Sequence, residues 1–165
     1  MRDPRQGYTS AVPAPVRKVV RLRALLVTGS ALLALTGCVP GEPSAADWRS
    51  AARQTLEDSV SEVESVALVL DLESGDRLPG RAARVAAVES EESLAKAEET
   101  LSTQQPPSDL RREDRTVADL LGRATDLVRE ARIAITAGHE SSYDGLRERL
   151  LALSDDLDAE RQELG

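Results

Sequence analysis

Two side chains occur once each and invite chemistry: the thiol of Cys38 and the imidazole of His139. Glu140, Ser141, Ser142 and Asp144 follow His139, so a serine, a histidine and an acid lie on one short stretch. Neighbours in sequence rarely reach the geometry of a catalytic triad, and no nucleophile-elbow pattern surrounds either serine. The stretch therefore reads as a solvated turn beside a helix end. A ferritin-like carboxylate centre needs Glu-x-x-His on inward helix faces, and the residue three before His139 is Thr136. With one cysteine, neither an intramolecular disulfide nor a cysteine-based metal site is available.

Carboxylates gather at Glu89, Glu91 and Glu92 and again at Asp155, Asp156 and Asp158. The segment from Asp71 to Asp76 is similar to the opening of a calcium-binding loop. Its glycine, Gly75, comes one position early, and position twelve is Ala82 rather than glutamate. Acidic runs of this kind are expected to be solvated helix faces. The sequence holds no glycine-rich phosphate cradle and no dinucleotide fingerprint. The expectation is a protein that is not an enzyme, with no catalytic residue, no metal site and no bound cofactor.

The elements around Cys38 give it a different role. A basic segment, Val16-Arg17-Lys18-Val19-Val20-Arg21-Leu22-Arg23, runs into the charge-free stretch from Ala24 to Ala34. That order is the layout of an export signal. As a helix, residues 24–37 would reach only about 21 Å, against roughly 30 Å for a bilayer core, so the run is too short for a permanent span. It ends on Leu35-Thr36-Gly37-Cys38. This resembles the lipobox of bacterial lipoprotein signal peptides, in which a leucine, two small residues and a cysteine direct lipid onto the thiol and cleavage just before it. The resemblance implies a signal peptide over residues 1–37, a covalent diacylglycerol on Cys38, and attachment to the outer face of the cytoplasmic membrane. The absence of twin arginines favours general secretion. The polar, proline-containing stretch before Val16 is long for a signal, which makes Val16 or Val19 an alternative start to Met1.

Residues 38–165 carry 15 basic against 28 acidic side chains, a net charge of −13. So acidic a chain offers no basic patch for nucleic acid and gains nothing from anionic headgroups; its link to the membrane must be covalent. Phenylalanine is absent, and beyond the leader only Trp48 and Tyr143 are aromatic, so a core must come from Ala, Leu and Val. Arginine in place of lysine, abundant alanine and no asparagine suggest a GC-rich genome. In composition the part after Cys38 resembles small helical lipoproteins of actinobacteria, a likeness that carries no binding residue.

Residues 38–43, with Pro40, Gly41 and Pro43, read as a stiff tether reaching about 20 Å. Residues 44–165 then show four helical faces. Ser44 and Asp47 form a helix-start pair, and the first face runs through Ala52, Leu56, Ser59, Val63, Val66 and Leu70, ending near Leu72. After Pro79-Gly80 the second face uses Ala83, Ala87, Ser90, Leu94, Ala97 and Leu101, with Val85 and Val88 beside it for a second neighbour. Past Pro106-Pro107, with Ser108 as cap, the third runs through Leu110, Val117, Leu120, Ala124, Leu127, Ala131 and Ala134 to a stop at Gly138. Ser141 and Asp144 repeat the capping pattern before Tyr143, Leu146, Leu150, Leu153, Leu157 and Leu164, with Glu160 at an otherwise apolar slot.

Four such helices with short links predict an all-α, up-down-up-down antiparallel four-helix bundle with coiled-coil-like packing. The start of helix 1, the Pro106-Pro107 loop and the C terminus would face the membrane. Alternatively, helices 1 and 2 form a hairpin that dimerises. Trp48 is expected to pack at the bundle's end or touch the membrane interface. The function expected is a non-enzymatic cell-envelope lipoprotein that offers helix faces to a protein partner. The alternative is an accessory lipoprotein binding calcium or a small apolar molecule.

Overall fold

Ser44 sets the first helix. Its Oγ accepts from the Asp47 amide at 3.2 Å, and its own amide donates back to Asp47 Oδ2 at 3.3 Å. Such a reciprocal cap contributes about 1 kcal/mol and faces a carboxylate to the positive end of the helix dipole. The computed structural model describes residues 44–165. The signal-peptide, lipobox and tether assignments, Cys38 among them, lie outside the described residues.

Four helices follow: α1 (Ala45–Ser74), α2 (Gly80–Ser102), α3 (Arg111–Ala137) and α4 (Tyr143–Glu163). Single 3-10 turns at Ser108–Leu110 and Glu140–Ser142 precede α3 and α4. The described residues are all-helical, with no strand among them. The expected seam positions on α1, α3 and α4 are buried, and so are Ala83, Ala87, Ser90, Leu94 and Leu101 on α2. Spacings of four and three residues put each set on one helix face, which must be covered. α1 packs extensively on α4 and on α2, α2 packs on α3, and α3 closes against α4. α1 also meets α3 across the middle.

Among the described residues both aromatics, Trp48 and Tyr143, are fully enclosed. Trp48 is thus a packing residue within the described chain. Three of the buried hydroxyls are satisfied: Ser59 Oγ donates to Thr55 O at 2.8 Å, Thr125 Oγ1 to Leu121 O at 3.1 Å, and Ser154 Oγ to Glu64 Oε1 at 2.9 Å.

Several boundaries differ from the sequence expectation. α1 continues past Leu72 to Ser74. There the Gly75 amide donates to Asp71 O, Asp76 takes a left-handed φ of 54°, and the Arg77 guanidinium folds back onto the Asp71 carboxylate. Asparagine and aspartate tolerate that conformation better than most residues. Ser108 and Ser141 cap nothing, since neither α3 nor α4 has a side-chain cap. Backbone turns replace them: Leu110 N–H donates to Pro107 O at 2.9 Å, and Ser142 donates its amide and Oγ to His139 O at 3.0 and 2.7 Å. Gly138 does end α3, at φ 67°, with the His139 amide reaching Ala134 O at 3.0 Å. Val85 and Val88 are exposed rather than turned to a neighbour, because the face that α2 buries is the one carrying Ala83, Ala87, Ser90, Leu94 and Leu101.

Candidate functional site

The ionisable groups named from the sequence do not converge. His139 lies exposed just past the left-handed Gly138, where its backbone carbonyl serves the following turn. Ser142 spends its hydroxyl on that carbonyl rather than on the imidazole. Asp71, in the calcium-like stretch, is held by Arg77. Asp156 pairs with Arg123 at 3.1 Å and Asp158 with Arg161 at 2.6 Å, so the C-terminal acids are divided between separate cations. No group of three or more His, Cys, Asp or Glu among the described residues is placed to hold a metal ion. No described helix is long and apolar enough to cross a membrane.

The acidic run on α2 is split by helical geometry. Glu89 and Glu92 face solvent, but Glu91 turns toward α3. It accepts from Arg129 Nε at 2.9 Å through Oε1 and from Arg132 Nε through Oε2. Burial pushes the Glu91 carboxyl up, yet the two guanidinium contacts outweigh it and hold the group below its ordinary value. On α3 and α4, Arg149 makes a two-point contact with Glu130, at 2.9 and 2.8 Å, which likewise depresses the Glu130 carboxyl. These pairs sit on the surface or half-buried, so they fix register more than they add stability.

The ends of α4 have the opposite character. Tyr143 Oη and Glu73 Oε2 are buried without a hydrogen-bond partner at bonding geometry. Burial first, then the nearby Glu73 and Glu140 carboxylates, push the phenol up to about 12. Glu73 also comes close to Gly80, where a Cβ would lie 3.1 Å from Glu73 Oε1. At the other end of α4, Glu160 occupies the apolar slot between Leu157 and Leu164, both buried. Burial, reinforced by Glu163 and Glu113, raises its carboxyl. Trp48 Nε1 and Glu113 Oε2 are buried without partners as well.

Sequence reasoning missed Glu91, Arg129 and Arg132 as one unit. The available signal was the spacing of Arg129 and Arg132, three apart on one helix face. It also missed the distinction between α1's two flanks. α1 packs extensively on α4, which buries several leucines, whereas toward α2 an open groove of about 530 Å³ has the small residues Ala51, Thr55, Ala97 and Thr100 in its lining. A second groove, about 430 Å³, lies between α3 and α4 and is bordered by the Arg123, Glu130, Arg149 and Asp156 charges. These features make a scaffold with open grooves between helices and no assembled catalytic set among the described residues. No family model, curated protein or solved structure matches the chain.

Proposed function

We propose that the chain is a non-enzymatic, exported lipoprotein, held at the outer face of the cytoplasmic membrane by diacylglycerol on Cys38, with a helical domain that offers its faces to a protein partner. The observation that carries this reading is the run of basic segment, apolar segment and Leu35-Thr36-Gly37-Cys38. Two acyl chains give stable anchoring where one gives marginal binding. The capping box that starts α1 at Ser44 is in keeping with a tether over residues 38–43. The dispersal of His139 and the acidic runs is in keeping with a domain that binds rather than reacts.

Within this reading the domain is an up-down-up-down antiparallel bundle. Paired residues support that order. Glu64 on α1 meets Ser154 on α4, while Glu73, farther along α1, lies near Tyr143, earlier on α4. Likewise Glu98 on α2 approaches Thr125 on α3, and Glu91 meets Arg129. On α3 and α4, Arg123 meets Asp156 and Glu130 meets Arg149. In each pair one number rises as the other falls.

Cell fractionation with mass spectrometry of the extracted protein tests the anchor. The expected result is recovery with membranes and an N terminus at a lipid-modified Cys38. Cys38→Ser should release the domain or leave the precursor uncleaved, with an unchanged circular dichroism spectrum. Recovery of the native protein wholly in the soluble fraction would overturn the reading. Crosslinking in intact cells then identifies the partner.

A further inference from the structure

The outward face of α2 divides by charge. From Arg77 to Val88 the chain holds three arginines and no acid, and from Glu89 to Glu99 it holds five acids and one lysine. Glu91 and Glu98 turn to α3. Arg81, Arg84, Glu89 and Glu92 are left exposed and in no ion pair among the described residues. Between the two halves stand Val85 and Val88, also exposed. Arg81, Val85, Val88 and Glu92 recur at four, three and four residues and so share one stripe, opposite the buried Ala83, Ala87, Ser90 and Leu94.

Exposed aliphatics widen that stripe. Leu68 stands six residues before α1 ends and Val85 five after α2 begins, with a short turn between them, so the two lie at one level. Glu91 meets Arg129 and Arg132, which brings the exposed Ile133 level with Val88. Beside Val85 a shallow depression of about 450 Å³ has Ala82 and Ala86 in its lining.

We propose that this face pairs with the same face of a second copy, α2 against α2 in antiparallel order about a twofold axis between Val85 and Val88. A stripe spaced four, three and four, packed antiparallel, sets Val85 against Val88 of the second copy beside the Ala82 and Ala86 depression. Arg81 then faces Glu92 of the second copy, and Glu92 faces its Arg81, while Arg84 and Glu89 extend the same division of charge on the flanks. A parallel pairing would set Arg81 on Arg81 and Glu92 on Glu92. Asp58 and Glu62 of α1, beside Ser93 and Lys96, strengthen the acidic half against the basic half it meets. Lys96 and Glu99 lie beyond the second copy's Arg81 and offset one another. A foreign partner would need both charges in reversed order around an apolar centre, which a second copy supplies by symmetry. The inference makes a second copy the protein partner of one face. It stands on residues 44–165 and not on Cys38, so its failure leaves the test of the anchor untouched. The two Ser44 residues lie at opposite ends of such a pair, so both tethers reach one membrane only when the helices lie along its surface.

Oxidative crosslinking of the full-length Cys38→Ser chain carrying one new thiol tests the proposal. Val88→Cys should give a disulfide-linked dimer, and Leu151→Cys, on the exposed side of α4, should give none above background. In the Val88→Cys chain, Arg81→Glu with Arg84→Glu, or Glu89→Arg with Glu92→Arg, should each lower the yield at least about tenfold, because like charges then meet at both ends. Mixing the two reversed chains should restore it, since every contact is again between opposite charges. All four residues are exposed, so each reversed chain should keep the parent's circular dichroism spectrum, and restoration on mixing itself requires both to be folded. Equal crosslinking at Leu151, a yield that survives either reversal, or no restoration on mixing would overturn the proposal. A photo-crosslinker at Val88 of the native chain in intact cells should capture a second copy, and capture of another protein in its place would overturn it as well.

Discussion

α1 meets two neighbours in two different ways. It packs extensively on α4, whose buried residues include Leu146, Leu150, Leu153 and Leu157, whereas toward α2 it faces Ala97 and Thr100 across an open groove. Burial of a leucine side chain contributes roughly 1.5–3 kcal/mol, and an alanine contributes far less. One seam therefore holds the fold and the other leaves room. The charges divide in a similar way. Along α2 and α3, Glu91 sits between two guanidinium groups, while the ends of α4 place Tyr143 and Glu160 where burial and neighbouring carboxylates raise them.

The largest expected effect separates the two seams. Leu150→Ala, at a fully buried site, should cost about 2–5 kcal/mol in urea unfolding at neutral pH. Ala97→Leu, which adds bulk to the half-open seam, should change stability by no more than about 0.5 kcal/mol. Equal losses from the two would mean that the groove closes in solution.

Alkaline unfolding sharpens the contrast at the start of α4. The Tyr143 phenol is raised from 10.0 to about 12 in the fold. Its contribution is therefore fully present below about pH 10 and is lost as pH rises toward 12, at about 1.4 kcal/mol per pH unit. Urea melts at pH 9.5 and above should show that decline for the native chain. Tyr143→Phe should flatten it at little cost at pH 7, because Oη has no partner at bonding geometry.

Smaller effects of opposite sign are expected from two glutamates. Glu91 is depressed in the fold, so its contribution is present above the ordinary value of 4.5 and is lost as pH falls through its lower folded value. Glu91→Gln should cost on the order of 1 kcal/mol at pH 7, and the difference should vanish in acid. Glu160 is raised, so its protonated form favours the fold, and that advantage is lost as pH climbs from 4.5 through the higher folded value. Glu160→Gln should stabilise the chain by about 1 kcal/mol or less at pH 7 and become neutral below pH 4. Thermal melts of both variants across pH 3 to 7 check the two signs, and parallel pH profiles would break the comparison.

Much of the helical layer was legible because burial follows period. Residues such as Leu56, Val63, Leu120 and Leu150 recur at four and three, and each must turn to a neighbour. Ser44 and Gly138 were legible because their roles are local, a hydroxyl against the first free amides and a backbone free to take positive φ. Ser108 and Ser141 misled for the same reason: a capping pattern is only an option, and the 3-10 turns after Pro107 and His139 satisfied the backbone first. Val85 and Val88 misled because hydrophobicity alone does not say which face finds a partner.

By itself the sequence determined four amphipathic helices, breaks between them around Gly75, Pro106-Pro107 and Gly138, an acidic composition and the apolar run that ends at Cys38. These follow from side-chain type and local backbone chemistry, which act over a few residues. The tertiary structure decided that Glu91 would be claimed by Arg129 and Arg132, that Glu73 would lie beside Tyr143, and that α1 and α2 would part into a groove. Those outcomes depend on the register between helices. That register is set by the summed packing of all four faces at once, and no single segment of the chain contains it.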